Sequence, residues 1–117
     1  MKIIITGACG HIGSFLVENL SKIKKIKKTI LIDSMKTNKY NSLFELTKKP
    51  NFSFYQRNLS IKNSLSDFKN IDIIIHCASM TDAANSFGNK KLMYQNNLGC
   101  MKTVLDYCVK NKTKLIH

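Results

Sequence analysis

The chain has 117 residues, of which 44% are hydrophobic, and its formal net charge is +12 at pH 7. At this length, that apolar content is sufficient for one substantial hydrophobic core, which predicts a single domain over residues 1–117. No apolar stretch reaches the roughly 18 residues that a membrane span needs, and the N-terminal apolar run is too short for a signal peptide. We therefore expect no membrane span and no membrane partner.

The basic excess consists almost entirely of lysine, because Arg57 is the only arginine. Proteins that read nucleic acids usually use arginine for bidentate contacts and aromatic side chains for stacking, and neither pattern occurs here. The densest lysine cluster, at 22–28, lies where the first helix is predicted to end, and lysines there complement the helix dipole. We therefore expect no nucleic-acid partner.

The N-terminal residues predict a nucleotide-binding unit. An apolar strand over Lys2–Thr6 leads directly into Gly7, Gly10 and Gly13, and a helix is predicted over residues 11–25. A pyrophosphate on a helix N-terminus needs backbone N–H groups directed at it, and a Cβ in the way would keep it too far off. The segment is therefore interpreted as the phosphate turn of a dinucleotide-binding fold.

A second predicted strand, at 29–33, ends on the carboxylate of Asp33. A carboxylate roughly 20 residues beyond the glycine loop can accept hydrogen bonds from both hydroxyls of the adenosine ribose. It would also repel a 2′-phosphate, so NAD is the expected cofactor. Lys36 and Lys39 lie just beyond and leave NADP open as the less favoured cofactor. The alternative for Asp33 is a helix cap or a turn residue.

The rest of the chain continues the alternation of strands and helices. A short helix is predicted at 42–48, a helical turn at 63–68 and a long helix from Lys90 to Lys110. Strands are predicted at Phe52–Gln56, 71–77 and 113–117. This order predicts an α/β, Rossmann-type doubly wound parallel sheet of about five strands with right-handed crossovers. The last strand would end inside a core sheet, so we expect a chain truncated at strand five, the N-terminal half of a longer protein. The alternative is a small protein that has lost its catalytic half.

Several motifs together resemble the extended short-chain dehydrogenases/reductases, and specifically their NAD-dependent epimerase/dehydratase family. The spacing T-G-x-x-G-x-x-G at 6–13 is similar to that family's phosphate turn. I-I-I-H-C-A-S at 73–79 resembles its fourth strand, and N-N-L-G-C at 96–100 resembles its N-V-x-G-T helix motif. Segments 33–40, 42–44 and 81–87 are also similar to epimerase-like members. The resemblance spans essentially the whole chain.

The resemblance and the glycine loop together imply a set of cofactor-binding residues. These are Gly7, Cys9, Gly10, His11, Ile12, Gly13, Asp33, Ser34, Asn58, Leu59, Cys77, Ala78, Ser79 and Asn96. His11 is expected to use its backbone N–H, and Asn96 to stabilise the active-site region from within its helix. The family usually has an aspartate near the adenine where this chain has Asn58. An amide can still accept a hydrogen bond from the adenine amino group through its carbonyl oxygen.

The family's catalytic Tyr-x-x-x-Lys is missing from the sequence. Four positions beyond the tyrosines stand Phe44, Leu59, Leu98 and Asn111. That chemistry needs a phenol whose pKa is lowered by a nearby ammonium. We therefore assign no catalytic residue and expect cofactor binding without turnover. The resemblance implies a nucleotide-sugar substrate for the full-length protein; the alternative is a non-catalytic module that senses NAD(P).

The scattered cysteines and the last helix each carry a further expectation. The four cysteines form no C-x-x-C pair, which favours reduced thiols and a cytoplasmic location. Cys9-x-His11 and His76-Cys77 could together bind zinc, but the phosphate turn would have to distort, so no metal is expected. On the last helix, one stripe is predicted to face the core, formed by Leu98, Met101, Leu105 and Cys108. In relatives this helix helps to build a homodimer.

Overall fold

The structure is a computed structural model, and it describes residues 1–37, 39, 41–44, 49–81 and 86–117. The strands are β1 (Lys2–Thr6), β2 (Lys28–Asp33), β3 (Phe52–Gln56), β4 (Ile73–His76) and β5 (Lys114–Ile116). The helices are α1 (His11–Leu20) and α2 (Ser86–Asn111), and Asn41–Leu43 forms a short 3₁₀ turn. The strands form one parallel sheet in the order β3-β2-β1-β4-β5. The predicted doubly wound α/β fold is therefore confirmed.

The central strand β1 is apolar on both faces because the sheet is covered on both sides. Ile4 packs into a core with Val104 of α2, whereas Ile3 and Ile5 pack into a second core with Val17 of α1. All three isoleucines are buried. A parallel strand between two helical layers needs this continuous apolar run rather than an alternating one. The strand order reverses at β1, so a crevice opens at the carboxyl ends of β1 and β4.

Helix α1 ends at Leu20, earlier than the predicted end at residue 25. Beyond it the chain makes three-residue turns, in which the N–H groups of Ile23 and Ile26 donate to the carbonyls of Leu20 and Ile23. The N-terminal ammonium of Met1 then donates to the Lys25 carbonyl at 2.6 Å. This bond across 24 residues ties the segment to the start of β1, and periodicity could not show it.

The predicted core stripe of α2 is wrong in two of its positions. Leu98 and Leu105 are 53% and 44% exposed, although Cys108 is buried as expected. Val104 and Tyr107 instead face the sheet, and the Tyr107 hydroxyl donates to the Phe68 carbonyl at 3.1 Å. Apolar residues occur around much of this helix, so two stripes compete. The stripe that contains Val104 and Tyr107 is the buried one, because the segment at 63–68 packs against it.

Two further helical predictions have different outcomes. The segment at 63–68 forms successive turns, in which the N–H groups of Ser66 and Phe68 donate to the carbonyls of Asn63 and Leu65, and this agrees with the predicted helical turn. The helix predicted at 42–48 is represented by the 3₁₀ turn at Asn41–Leu43, and residues 45–48 lie outside the described part of the chain. Helix α2 begins at Ser86, earlier than predicted, and ends before Lys112, which adopts a left-handed φ of 53°.

Candidate nucleotide site

A cavity of about 580 Å³ opens at the carboxyl edge of the sheet, between the glycine turn and the segments that follow β2, β3 and β4. The predicted residues that line it are Gly7, Gly10, His11, Asp33, Ser34, Asn58, Leu59, Cys77, Ala78, Ser79 and Asn96. Its other lining residues are Ile32, Lys36, Thr37, Lys39, Arg57, Met80, Thr81 and Cys100. The structure therefore brings together residues from five separate segments, the fifth being helix α2. A volume of this size is typical of sites for cofactors.

Three predicted residues lie just behind or beside this cavity. Cys9 is buried, and its N–H donates to the Asp33 carboxylate at 2.9 Å, so this donor supports the site from behind. Ile12 is 65% exposed on α1. Gly13 is buried against the backbone of Gly7. These positions give Cys9 and Gly13 a structural part in the turn.

The glycine turn needs its glycines for two different reasons. Gly7 adopts a φ of +66°, and a Cβ there would stand 2.7 Å from the backbone nitrogen of Ala78. Gly13 has no room for a Cβ, which would lie 2.1 Å from the Gly7 carbonyl oxygen. Gly10 is less constrained, since its nearest contact would be 3.2 Å. The first glycine thus permits the turn and the close approach of β4, and the third permits α1 to pack on β1.

Asp33 connects the end of β2 to the glycine turn. Its Oδ2 accepts the N–H of Cys9, and its Oδ1 accepts the N–H of Met35 at 2.8 Å. Met35 has a φ of 60°, so the carboxylate supports a left-handed residue in the turn that follows. The turn role weighed for this residue is therefore present. An ionised carboxylate has about four acceptor positions, which leaves capacity for the hydroxyls of a ribose.

The wall after β4 is fixed by a hydrogen-bonded triad of Thr6, His76 and Ala78. The Ala78 N–H donates to the Thr6 Oγ1 at 3.3 Å, and the same oxygen lies 2.7 Å from His76 Nδ1. The Thr6 hydroxyl has one proton and a second lone pair left, so it can pair with Nδ1 in either tautomer of a neutral His76. Burial, and secondarily the nearby His117, lower the pKa of His76 to about 4. The imidazole is therefore neutral at neutral pH and is held in place by Thr6.

Arg57 anchors the wall of the cavity that follows β3. No sequence pattern marks this arginine as part of the site. Its guanidinium donates to both carboxylate oxygens of Asp67 at 2.6 Å and to the Ser64 carbonyl at 2.7 Å. It also lies over the rings of Phe68 and Tyr55, at 4.6 and 5.4 Å from their centroids. The hydrogen bond raises the pKa of Arg57 and lowers that of Asp67. These contacts hold the segment after β3 in place.

The Asn58 side chain forms a local turn with Ser60. Its Oδ1 already accepts the backbone N–H of Ser60 at 3.0 Å and the Ser60 hydroxyl at 2.8 Å. A carbonyl oxygen has two lone pairs, so both are engaged. The resemblance alone could not reveal this local turn.

Asn97, which accepts a hydrogen bond from the Asn96 amide at 3.3 Å, secures the loop after β4. The Asn97 amide makes two bonds to the loop after β4: its Oδ1 accepts the Met80 N–H at 2.8 Å, and its Nδ2 donates to the Met80 carbonyl at 3.1 Å. Asn96 instead lines the cavity, where its Oδ1 accepts from the Lys36 ammonium at 3.4 Å.

The remaining expectations concern residues outside the described ranges, metal ions, the cysteines and membrane spans. Tyr40, Asp82 and residues 83–85 lie outside the described residues. Within the described ranges, no group of three or more His, Cys, Asp or Glu side chains is placed to hold a metal ion. The four cysteines, which all lie within the described residues, form no disulfide. In the same ranges, no helix combines the length and the apolar character needed to cross a membrane.

Comparison with known proteins identifies the family of this chain. The sequence model of the NAD dependent epimerase/dehydratase family matches residues 3–117. The chain is 34% identical to a dTDP-D-glucose 4,6-dehydratase of Dictyostelium discoideum over 117 residues, which cover 97% of this chain and 27% of that protein. It is 32% identical to an uncharacterised UDP-glucose epimerase of Bacillus subtilis (strain 168), covering 92% of this chain and 36% of that protein.

Solved structures show the same fold. The dTDP-glucose 4,6-dehydratase of Streptomyces venezuelae, crystallised with NAD bound, matches all of this chain and 38% of its own, with a TM-score of 0.88 at 21% identity. The UDP-glucuronic acid 4-epimerase of Bacillus cereus, in a complex that includes NAD, matches with a TM-score of 0.79 at 26% identity, covering 98% of this chain and 38% of its own. The chain thus spans little more than a third of these enzymes. It belongs to the NAD-dependent epimerase/dehydratase family.

Proposed function

We propose that this chain is the NAD-binding part of a nucleotide-sugar epimerase or dehydratase. One observation carries the proposal: the glycine turn and Asp33 face the same cavity at the carboxyl edge of the sheet. The absence of side chains at Gly7 and Gly10 leaves room there, and the start of α1 supplies N–H groups and the positive end of a helix dipole for phosphate. The residues present therefore fit a dinucleotide.

The chain's own residues would then bind and orient the cofactor. The glycine turn would hold the pyrophosphate, and the Asp33 carboxylate would accept the two hydroxyls of the adenosine ribose. The Thr6–His76–Ala78 triad would keep the wall after β4 at a fixed distance from this turn. When bound, NAD supplies a hydride acceptor for oxidation of a sugar hydroxyl.

We propose that this chain lacks the group that removes the proton from the sugar. No tyrosine lines the cavity within the described residues, and the Tyr107 hydroxyl is engaged with the Phe68 carbonyl. The sequence contains no Tyr-x-x-x-Lys. The proton-removing pair and the sugar-binding surface would belong to the part of the enzyme not represented in these 117 residues.

The test of cofactor binding is titration calorimetry of the chain and of Asp33→Ala with NAD and NADP. Removing the carboxylate takes away two charge-assisted acceptors and the repulsion of a 2′-phosphate, so NAD affinity should fall by about 10- to 100-fold. The preference for NAD over NADP should narrow at the same time. Unchanged affinities for both dinucleotides would refute the role of Asp33.

A matched control distinguishes the expected loss of NAD affinity from a general effect of removing a carboxylate. Asp72 also accepts a backbone N–H, that of Lys2 at 2.7 Å, but it lies at the amino end of β4, away from the cavity. Asp72→Ala should bind both dinucleotides as the unmodified chain does. Circular dichroism of each variant at the assay temperature verifies that it is folded.

We further propose that α2 pairs with a second copy of the chain. Its exposed face carries four large apolar side chains, Tyr94, Leu98, Leu105 and Val109, which are between 44% and 80% exposed. Contiguous apolar surface of this kind commonly marks a protein interface. Sedimentation equilibrium should show a dimer that dissociates when Leu98→Glu and Val109→Glu are combined. A monomer at all concentrations in the unmodified chain would contradict the pairing.

A further inference from the structure

The fold arranges three recognition points in the order of a dinucleotide's parts, an inference that rests on the proposed NAD-binding function. The sheet order β3-β2-β1 places the glycine turn after β1, Asp33 at the end of β2 and Asn58 just after β3. If the turn holds the phosphates and Asp33 the ribose, the base extends toward the end of β3. Asn58 lines the cavity there, so its side chain is the polar group placed to read the base edge.

The orientation of the Asn58 amide follows from its partner. The backbone N–H of Ser60 can only donate, so the amide atom 3.0 Å from it must be the oxygen. The Ser60 hydroxyl occupies the second position on that oxygen at 2.8 Å. Among the described residues, the Nδ2 group has no hydrogen-bond partner. Asn58 therefore offers a base only the N–H donors of its Nδ2 group, whereas a carboxylate in its place would offer an acceptor.

The wall that carries this amide is held firmly. Arg57, the preceding residue, is fixed by Asp67 and Ser64, and its backbone N–H donates to the Asp33 carbonyl at 2.8 Å. The following residue, Leu59, is buried in the core. With both neighbours fixed, the amide cannot easily turn its oxygen toward the cavity without breaking the Ser60 turn.

We infer that Asn58 makes the site tolerant of the group at position 6 of the purine. An N–H donor can pair with a ring nitrogen of adenine or with the keto oxygen of hypoxanthine, but it does not select for the adenine amino group. The site therefore accepts a 6-oxopurine dinucleotide about as well as NAD. Discrimination between the two bases is weak because Ser60 engages the Asn58 oxygen that could have accepted from the adenine amino group.

The test compares NAD with nicotinamide hypoxanthine dinucleotide by titration calorimetry on the full chain. The two dissociation constants should agree within about threefold, since the Asn58 Nδ2 group finds an acceptor on either base. In Asn58→Asp, one carboxylate oxygen can keep the Ser60 bonds while the other accepts from the amino group, so NAD should become preferred by about tenfold. Ser60→Ala, which frees one lone pair of Oδ1, should shift the preference the same way but less.

A charge-matched control and the reverse outcomes complete the experiment. Asn51→Asp introduces the same charge at an exposed position before β3, and it should leave the ratio of the two affinities unchanged. If the unmodified chain binds NAD more than about tenfold tighter than the hypoxanthine dinucleotide, the inference is overturned while NAD binding stands. Chain that binds neither dinucleotide would refute the proposed function, and this inference with it.

Discussion

Replacing Gly13 with alanine should destabilise the chain by about 4 kcal/mol, more than the usual cost of overpacking a core by one methyl group. The added Cβ would lie 2.1 Å from the Gly7 carbonyl oxygen and 2.8 Å from the Ala8 Cα. Both are backbone atoms of the tight turn between β1 and α1, so no side chain can rotate away to relieve the contact. Helix α1 would have to move off β1 and expose its buried Val17.

Urea unfolding followed by circular dichroism measures this effect against two other glycines. Gly10→Ala meets a single contact at 3.2 Å, and Gly99→Ala meets Ser60 at 3.3 Å from within α2, where alanine gains about 1 kcal/mol of helix propensity. Both should stay much closer to the unmodified chain. A Gly13→Ala midpoint equal to that of the unmodified chain would mean that α1 packs on β1 less closely than the structure shows.

The features that the sequence predicts correctly are those whose physical requirements are local. The glycine turn requires a strand, three glycines and a helix in immediate succession, and all of these lie within residues 2–20. Buried parallel strands need only a short apolar run, and the predicted bounds of β1 and β3 agree with the structure. Asp33 is likewise fixed by its place at the end of a strand.

The features that the sequence does not predict depend on partners far along the chain. Arg57 became part of the site through Asp67 and Phe68, ten or more residues away, and no pattern of spacing marks such a clamp. Leu98 and Leu105 are predicted to face the core but are exposed, because periodicity identifies an apolar stripe on α2 but not which elements cover it. Asn58 is a different case, because the residue that engages its oxygen, Ser60, is only two positions away.

Acidification should destabilise the chain through His76, in a window set by the pKa of this residue in the two states. In the folded chain burial lowers that pKa to about 4, from an ordinary value of 6.5 when the chain is unfolded. As the pH falls below 6.5 the unfolded chain takes up the proton first, so the free energy of unfolding decreases until about pH 4. The decrease from this residue should approach about 3 kcal/mol, because the imidazole is 4% exposed.

The structural cause is the triad at the end of β1. A proton on Nδ1 would make it a donor, and the Thr6 hydroxyl can turn to accept from it because its oxygen has a second lone pair beside the one used by Ala78. The ring of His117 lies close by, with its centroid 5.4 Å away. Protonation is therefore costly because it places a positive charge in a buried position, where the charge loses its hydration. The wall of the cavity formed by Ala78 should loosen at the same time.

Urea unfolding at pH 7, 6, 5 and 4 tests this, with His76→Asn as the decisive variant. Asparagine supplies an oxygen that can accept from Thr6 but does not titrate, so the decline between pH 6.5 and 4 should become shallower by most of the His76 contribution. Carboxylates such as Asp67 titrate equally in both proteins near the acid end and cancel in the comparison. His11→Asn, at an exposed position, should retain the full decline. If His76→Asn loses stability as steeply as the unmodified chain, the acid sensitivity arises elsewhere and the buried neutral imidazole is refuted.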